Sequence, residues 1–423
     1  MVAAGPGRAW LVWSIAAGFY AYGFFQRVAP SVIVDDLMAT FALDATLLGT
    51  LSAAYFYTYA ALQIPLGVLI DRFGPRRLLT LGALFAALGG VLFALAGGLA
   101  AAIVARALIG AGVGVAYIAT LKLVGDWFPL ERFGFVAGLT LAAGTAGAVG
   151  AQLPLALAVD AFGWRPVLLV TGVAALVLAG LILAIVRDRP PGIEPVAGAP
   201  APPPAHALGL LGILARRETW LLSLVTGLTG APILAFAGLW GVPYFVQVHG
   251  LERTAAASVT SVMLVSWAIG GPALGALADR LGRRGPLILA IAASNCVLWL
   301  SFFLIPDPPL ALAVPVIAVL GFGGGAMVVA FAVVRGVFGV TSAGRAFGIV
   351  NSAVLLFGAG MQTAFGAMLD ARWNGATLGG ARLYDAAAFG AGFVLCAAAS
   401  AVVVLAALAL RAAERQHDAV IAP

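Results

Sequence analysis

Three basic side chains, Arg27, Arg106 and Lys122, stand inside long apolar runs, and a fourth, Arg335, joins them where the run that begins near 310 is extended to Val340. No Asp or Glu lies near the middle of any such run. Asp35, Asp36, Asp126, Asp370 and Asp385 sit at run ends or in loops, and none of the three histidines is in a run interior. A basic residue held at mid-membrane costs on the order of 3 kcal/mol. Without an acidic partner at that depth, it needs a water-filled cavity or an anion. A guanidinium grips a carboxylate or phosphate with two parallel hydrogen bonds. The chemistry on offer is therefore anion binding, and an electropositive cavity disfavours cationic ligands.

Arg27 is the leading candidate. Tyr20, Phe24, Arg27 and Ser31 follow one helical face, and Pro30 stands beside it as a bend. The alternatives are snorkelling to the interface or pairing with Asp35 or Asp36. Arg106 and Lys122 are on one run, 16 positions apart. At about 100° per residue they point roughly 160° apart, so at most one faces a cavity squarely. Arg106 shares its face with Gly110 and Tyr117. Lys122 lies near a run end, where snorkelling competes. Arg335 has charge anchoring at the bilayer surface as its rival.

Polar and aromatic stripes extend the candidate site. Ser52, Tyr55, Tyr59 and Gln63 recur at helical spacing. Trp240, Tyr244 and Gln247 share a run with Pro232 and Pro243 as hinges. Asn351 and Gln362 lie nearly on one face. The interfacial-anchor reading applies to Trp240 and Gln247, and helix-to-helix bonding to Asn351. The cluster Gly321-x-Gly323-Gly324-Gly325 lies in an apolar run and lacks the Lys-Ser/Thr ending of a phosphate loop. No metal-ligand cluster, catalytic triad or cofactor motif is read, and no enzyme, metal or cofactor is expected.

These residues need membrane helices to position them. Of the 423 residues, 63% are hydrophobic and 9% charged, against roughly 25% charged in a soluble domain. Such a chain could not cover its surface in water. A helix crosses the hydrocarbon core with about 20 apolar residues. Twelve runs qualify, near 10–34, 46–70, 78–96, 99–123, 133–158, 166–186, 220–246, 254–278, 286–305, 310–334, 346–369 and 385–410. With the N-terminus inside, fifteen arginines fall in inner segments. Only Arg165, Arg253, Arg372 and Arg382 fall in outer ones. The positive-inside rule then places both termini in the cytoplasm of a bacterial inner membrane. Residues 190–217, rich in Pro and Ala, read as a cytoplasmic linker between bundles at 1–189 and 218–410, with a tail at 411–423. Leu208–Leu214 within it reads as a short surface helix. The arginine bias follows composition, so no nucleic-acid partner is expected.

One charged loop occurs twice. Gly67-x-x-x-Asp71-Arg72-x-Gly74-Pro75-Arg76 returns half a chain later as Gly275-x-x-x-Asp279-Arg280-x-Gly282-Arg283. Twelve runs in two sixes, this duplicated loop and Arg106-x-x-x-Gly110 resemble the major facilitator superfamily, over nearly the whole chain. The resemblance implies an all-α fold of two pseudo-symmetric six-helix bundles, an alternating-access transporter and a monomer. It also implies a structural role for Arg106, tying helices together, as the rival to ligand contact, and that the loops are a conformational latch. Asp71 would face the start of run eleven. Arg72 or Arg76 would pair with Asp126 or Glu131, and the second copy would act likewise. An arginine in run one resembles the organic-anion branches. The expected function is secondary transport of a small anion, an organic carboxylate or similar, by exchange for a counter-anion or linked to a proton. The alternative is a proton-driven drug or metabolite exporter, which predicts a buried acid. A transport-dead sensor is a third reading.

Overall fold

A computed structural model describes residues 6–190, 209–282 and 284–421. Most of the expected linker, and Arg283, lie outside these. The chain divides into two compact units: Met1–Phe41 with Leu51–Ala199, and Ala42–Thr50 with Pro200–Pro423.

The first unit holds α1 (Pro6–Val28), a 3-10 turn (Ala29–Val32) and α2 (Val34–Phe41). It continues with most of α3 (Ala45–Phe73), then α4 (Pro75–Leu95), α5 (Leu99–Val113) and α6 (Ala116–Trp127). It ends with α7 (Leu130–Gly150), α8 (Leu153–Phe162) and α9 (Trp164–Ile185). Within this unit α4 packs on α5 and α9, and α1 on α7.

The second unit holds the first turns of α3, α10 (Leu210–Leu214) and α11 (Arg217–Ala235). A π-helical stretch (Phe236–Trp240) leads into α12 (Gly241–Gln247). Then come α13 (Arg253–Leu281), α14 (Arg284–Leu304), α15 (Leu310–Gly324) and α16 (Ala326–Ala371). The strands β1 (Thr377–Leu378) and β2 (Ala381–Arg382) pair antiparallel, and α17 (Ala386–Ile421) closes the chain. Here α11 packs on α16, α13 on α15 and α14 on α17.

Ten helices among the described residues are long and apolar enough to cross a membrane. The pair Val34–Phe41 and Ala45–Gln63, bent by 111°, makes an eleventh. Helix α1 has 23 residues, roughly 35 Å at 1.5 Å per residue, which is the length of a span. Its Trp and Tyr residues with Gln26 and Arg27 make it less apolar. The twelve runs read from sequence thus correspond to membrane-length helices in an all-α fold. On α4, Leu81, Leu84, Leu88, Leu92 and Leu95 form an exposed stripe at helical spacing. Lipid is the medium in which such a face is stable.

Several spans are broken where proline or glycine interrupts the helix. Pro30 ends α1 and sits in the 3-10 turn. Gly114 separates α5 from α6, and Gly325 separates α15 from α16. Gly339 kinks α16 with φ 65° and ψ 171°, a left-handed position suited to glycine. Helices also approach closely over small residues. A Cβ on Gly110 would run into the backbone oxygen of Tyr55, so α5 lies directly on α3 and brings Arg106 beside that tyrosine.

Candidate functional site

The candidate site lies inside the first unit. Tyr20, Phe24 and Arg27 share one face of α1, as the spacing expects. The Tyr20 and Phe24 rings meet at 4.9 Å, and Tyr20 meets Tyr117 of α6 at 5.2 Å. Arg27 is 8% exposed. Its guanidinium carbon is 4.3 Å from the Phe24 ring centre, 5.5 Å from Tyr59, 5.7 Å from Phe56 and 6.0 Å from Tyr55. Its Nε has no partner. Among the described residues no carboxylate pairs with Arg27; neither Asp35 nor Asp36 does so.

Arg106 is 1% exposed. Its Nη1 donates to the backbone oxygen of Gln26 at 2.7 Å, and its guanidinium lies 5.0 Å from the Tyr55 ring. Nε and Nη2 have no partner. The Gln26 amide donates to the Tyr22 hydroxyl at 2.8 Å and to Thr171 at 3.1 Å. Tyr55 donates to the Gly23 carbonyl at 2.9 Å. Two buried guanidiniums thus face one aromatic ring, and among the described residues neither has a carboxylate partner. Ring faces attract a cation by about 1–2 kcal/mol, which offsets only part of the desolvation of a buried charge. An anion meeting Arg27 would supply what the cage lacks.

Lys122 is placed elsewhere. Its Nζ pairs with Asp71 at 2.5 Å, where the lysine is partly and the aspartate largely exposed. The lysine read as a candidate substrate contact is thus neutralised by the aspartate read as part of the latch. The loop also differs in its other partners. Arg72 lies on the Phe73 ring at 5.2 Å. The backbone N–H of Arg76 donates to Asp188 at 2.7 Å, and its Nη2 to the Leu183 carbonyl at 2.5 Å. No ion pair joins Arg72 or Arg76 to Asp126 or Glu131 among the described residues. Asp188 occupies the start of α4, where unsatisfied N–H groups and the positive helix end favour a carboxylate. Gly67 and Gly275 lie within α3 and α13, each one turn before its aspartate. In the second copy Asp279 meets Arg284 at 3.4 Å, Arg280 is exposed, and Gly282 ends α13 at φ 60°.

In the second unit, Trp240 and Gln362 are tied to each other. Trp240 donates to the Gln362 carbonyl at 3.0 Å, and the Gln362 amide donates to the Leu234 carbonyl at 2.9 Å. Trp240 also stacks on Phe365. Tyr244 sits in a ring cluster with Phe245, Phe302, Phe389 and Phe393. These residues are packed core of that unit. Asn351 is half-buried, while Arg335 is exposed in the last turns before the Gly339 kink.

Sequence reasoning did not single out Gln26, Phe56, Asp188 or Thr171. Pro30 was a usable signal for Gln26, because proline leaves the carbonyl four residues earlier without its helical donor. Asp188 offered no local signal.

The chain matches the Major Facilitator Superfamily profile over residues 14–361. It belongs to that family. It is 27% identical over 285 residues to a probable sulfoacetate transporter, SauU, of Cupriavidus necator, covering 65% of this chain and 66% of that protein. It is 27% identical to a hexuronate transporter of Bacillus subtilis, covering 62% of this chain and 64% of that one. It is 26% identical to the membrane sensor protein UhpC of Salmonella typhimurium, covering 68% of each. The chain spans just under two thirds of the first two of these relatives. A bacterial homologue of the human lysosomal transporter Spinster has the same fold, with a TM-score of 0.77, 19% identity and 96% of each chain covered.

Proposed function

We propose that this protein is a secondary transporter that moves a small organic anion across the bacterial inner membrane by alternating access. The carrying observation is Arg27: a buried guanidinium with an unpartnered Nε, walled by Phe24, Tyr55, Phe56 and Tyr59, with no carboxylate partner among the described residues. The site suits a carboxylate or sulfonate that takes two hydrogen bonds from Arg27 while tyrosine hydroxyls hold its polar groups. Relatives named for sulfoacetate and hexuronate support an organic acid. Both termini are cytoplasmic in this reading, and residues 190–217 join a bundle at 1–189 to one at 218–410.

Transport proceeds by exchange against a second anion, or with the substrate carrying its own proton, because among the described residues no carboxylate pairs with Arg27 to shuttle one. The duplicated loops act as the latch: Asp71, held by Lys122, changes partners as the cytoplasmic side opens and closes. The exporter alternative needs an acid at the site and is disfavoured because, among the described residues, none pairs with Arg27 there.

Thermal stabilisation of the purified protein tests this. The panel contains sulfoacetate, glucuronate, galactonate, phosphate, cationic drugs and neutral sugars. Binding to the folded state raises Tm with concentration. A shift with an anion class that vanishes in Arg27→Ala supports the proposal. Shifts only with cationic or neutral compounds overturn it.

A further inference from the structure

We infer that Arg106 is a positioning residue for Arg27, acting through a backbone carbonyl that Pro30 leaves without a helical donor. In an α-helix the N–H of residue 30 would bond the carbonyl of residue 26. Proline has no N–H, so the Gln26 carbonyl near the end of α1 loses that partner. The carbonyl is buried in protein, and an unpaired backbone oxygen there is costly. Nη1 of Arg106 takes its place at 2.7 Å, a short, charge-assisted bond.

That carbonyl belongs to the same rigid peptide plane as the nitrogen of Arg27. Holding it fixes the direction in which the Arg27 side chain leaves the helix. A second tie lies one turn earlier. Tyr55 donates to the carbonyl of Gly23, the one opposite the N–H of Arg27 in helical geometry. Arg106 also packs on the Tyr55 ring at 5.0 Å, so the two ties, one from α5 and one from α3, rest against each other. The side chain of Gln26, held by Tyr22 and Thr171, pins the same peptide from the other side. Arg106 is 1% exposed, and among the described residues its hydrogen bond goes to backbone. Its part in anion binding is to aim Arg27.

This inference rests on the anion reading for its affinity readout, but a ligand-free readout stands apart from it. The test is a double-mutant cycle between Arg106→Gln and Pro30→Ala. Alanine at position 30 restores the N–H, so the Gln26 carbonyl no longer needs Arg106. In the absence of ligand, Arg106→Gln should lower Tm clearly in the wild-type background and much less in Pro30→Ala. With whichever of sulfoacetate or glucuronate stabilises the protein more, Arg106→Gln should weaken binding about tenfold, as for one charge-assisted contact, and less than about threefold beside Pro30→Ala. Arg106→Lys serves where the glutamine variant does not fold. It keeps the charge and one donor, and should retain part of the affinity.

Equal affinity losses in both backgrounds would make Arg106 a direct ligand contact and overturn the inference. So would an equal Tm loss in both. If neither anion binds and Arg27→Ala changes nothing, the anion reading fails, and the ligand-free cycle still decides whether Arg106 serves the Gln26 carbonyl.

Discussion

Asp370, at the end of α16, holds Thr46 at the start of α3 by two hydrogen bonds, from its backbone N–H at 2.8 Å and from its hydroxyl at 2.6 Å. The same carboxylate accepts the N–H of Ala45 at 3.1 Å, the Tyr384 hydroxyl at 2.7 Å and Arg382 at 3.1 Å. Asp44 accepts the N–H of Leu47 at 2.7 Å. The first three N–H groups of α3, which no helix can satisfy internally, are thus all taken by carboxylates. This explains why residues 42–50 belong to the second unit although α3 continues into the first.

Asp370→Ala should therefore cost about 2–3 kcal/mol, since it removes several charged hydrogen bonds and leaves Arg382 unpaired. Thr46→Val removes only the hydroxyl contact and should cost about 1 kcal/mol. Tm in detergent measures both. Equal, negligible losses would mean that water replaces the carboxylate fully.

Arg27→Lys keeps the charge but loses the fork that grips two oxygens. Anion affinity should fall about tenfold or more, with little change in Tm without ligand. Wild-type affinity in that variant would remove Arg27 from the site.

The Lys122–Asp71 pair is partly exposed, so it contributes below about 1 kcal/mol. Lys122→Gln should leave anion affinity within about twofold. Asp71→Asn should slow transport in liposomes while binding stays intact. A tenfold affinity loss in Lys122→Gln would return that lysine to the substrate site.

His249 stacks on Phe245, and its Nδ1 is 3.4 Å from Asp307. Its Nε2 is buried without a partner, so protonation would create an unsatisfied donor. Burial holds its pKa below the ordinary histidine value, with Asp307 pulling the other way. The folded state then binds fewer protons than the unfolded one. Stability is fully present above the ordinary value near pH 6.5 and is lost as pH falls through it. His249→Phe should flatten the slope of Tm between about pH 7 and pH 5. An unchanged slope would assign it to other groups.

Much of the architecture was legible because membrane spans are local. A run of apolar residues reports a helix without reference to anything distant, and the two copies of the Gly-x-x-x-Asp-Arg loop disclosed the repeat. Tyr20, Phe24 and Arg27 were likewise placed on one face by periodicity alone, and the rings do gather around the guanidinium.

What sequence could not supply were partners across helices. Lys122 and Asp71 are 51 residues apart, and Asp188 is 112 residues from Arg76. Asp370 is 324 residues from Thr46. Trp240 and Gln362 looked like cavity residues because their types suit a ligand, yet they satisfy each other's elements inside the second unit. Helical periodicity says which face a side chain is on, but not what stands opposite. The depth of a charge and the group that neutralises it come from packing. Arg27 and Lys122, alike as basic residues within apolar runs, part on this point. One is enclosed by rings with no carboxylate partner among the described residues, and the other already has its aspartate.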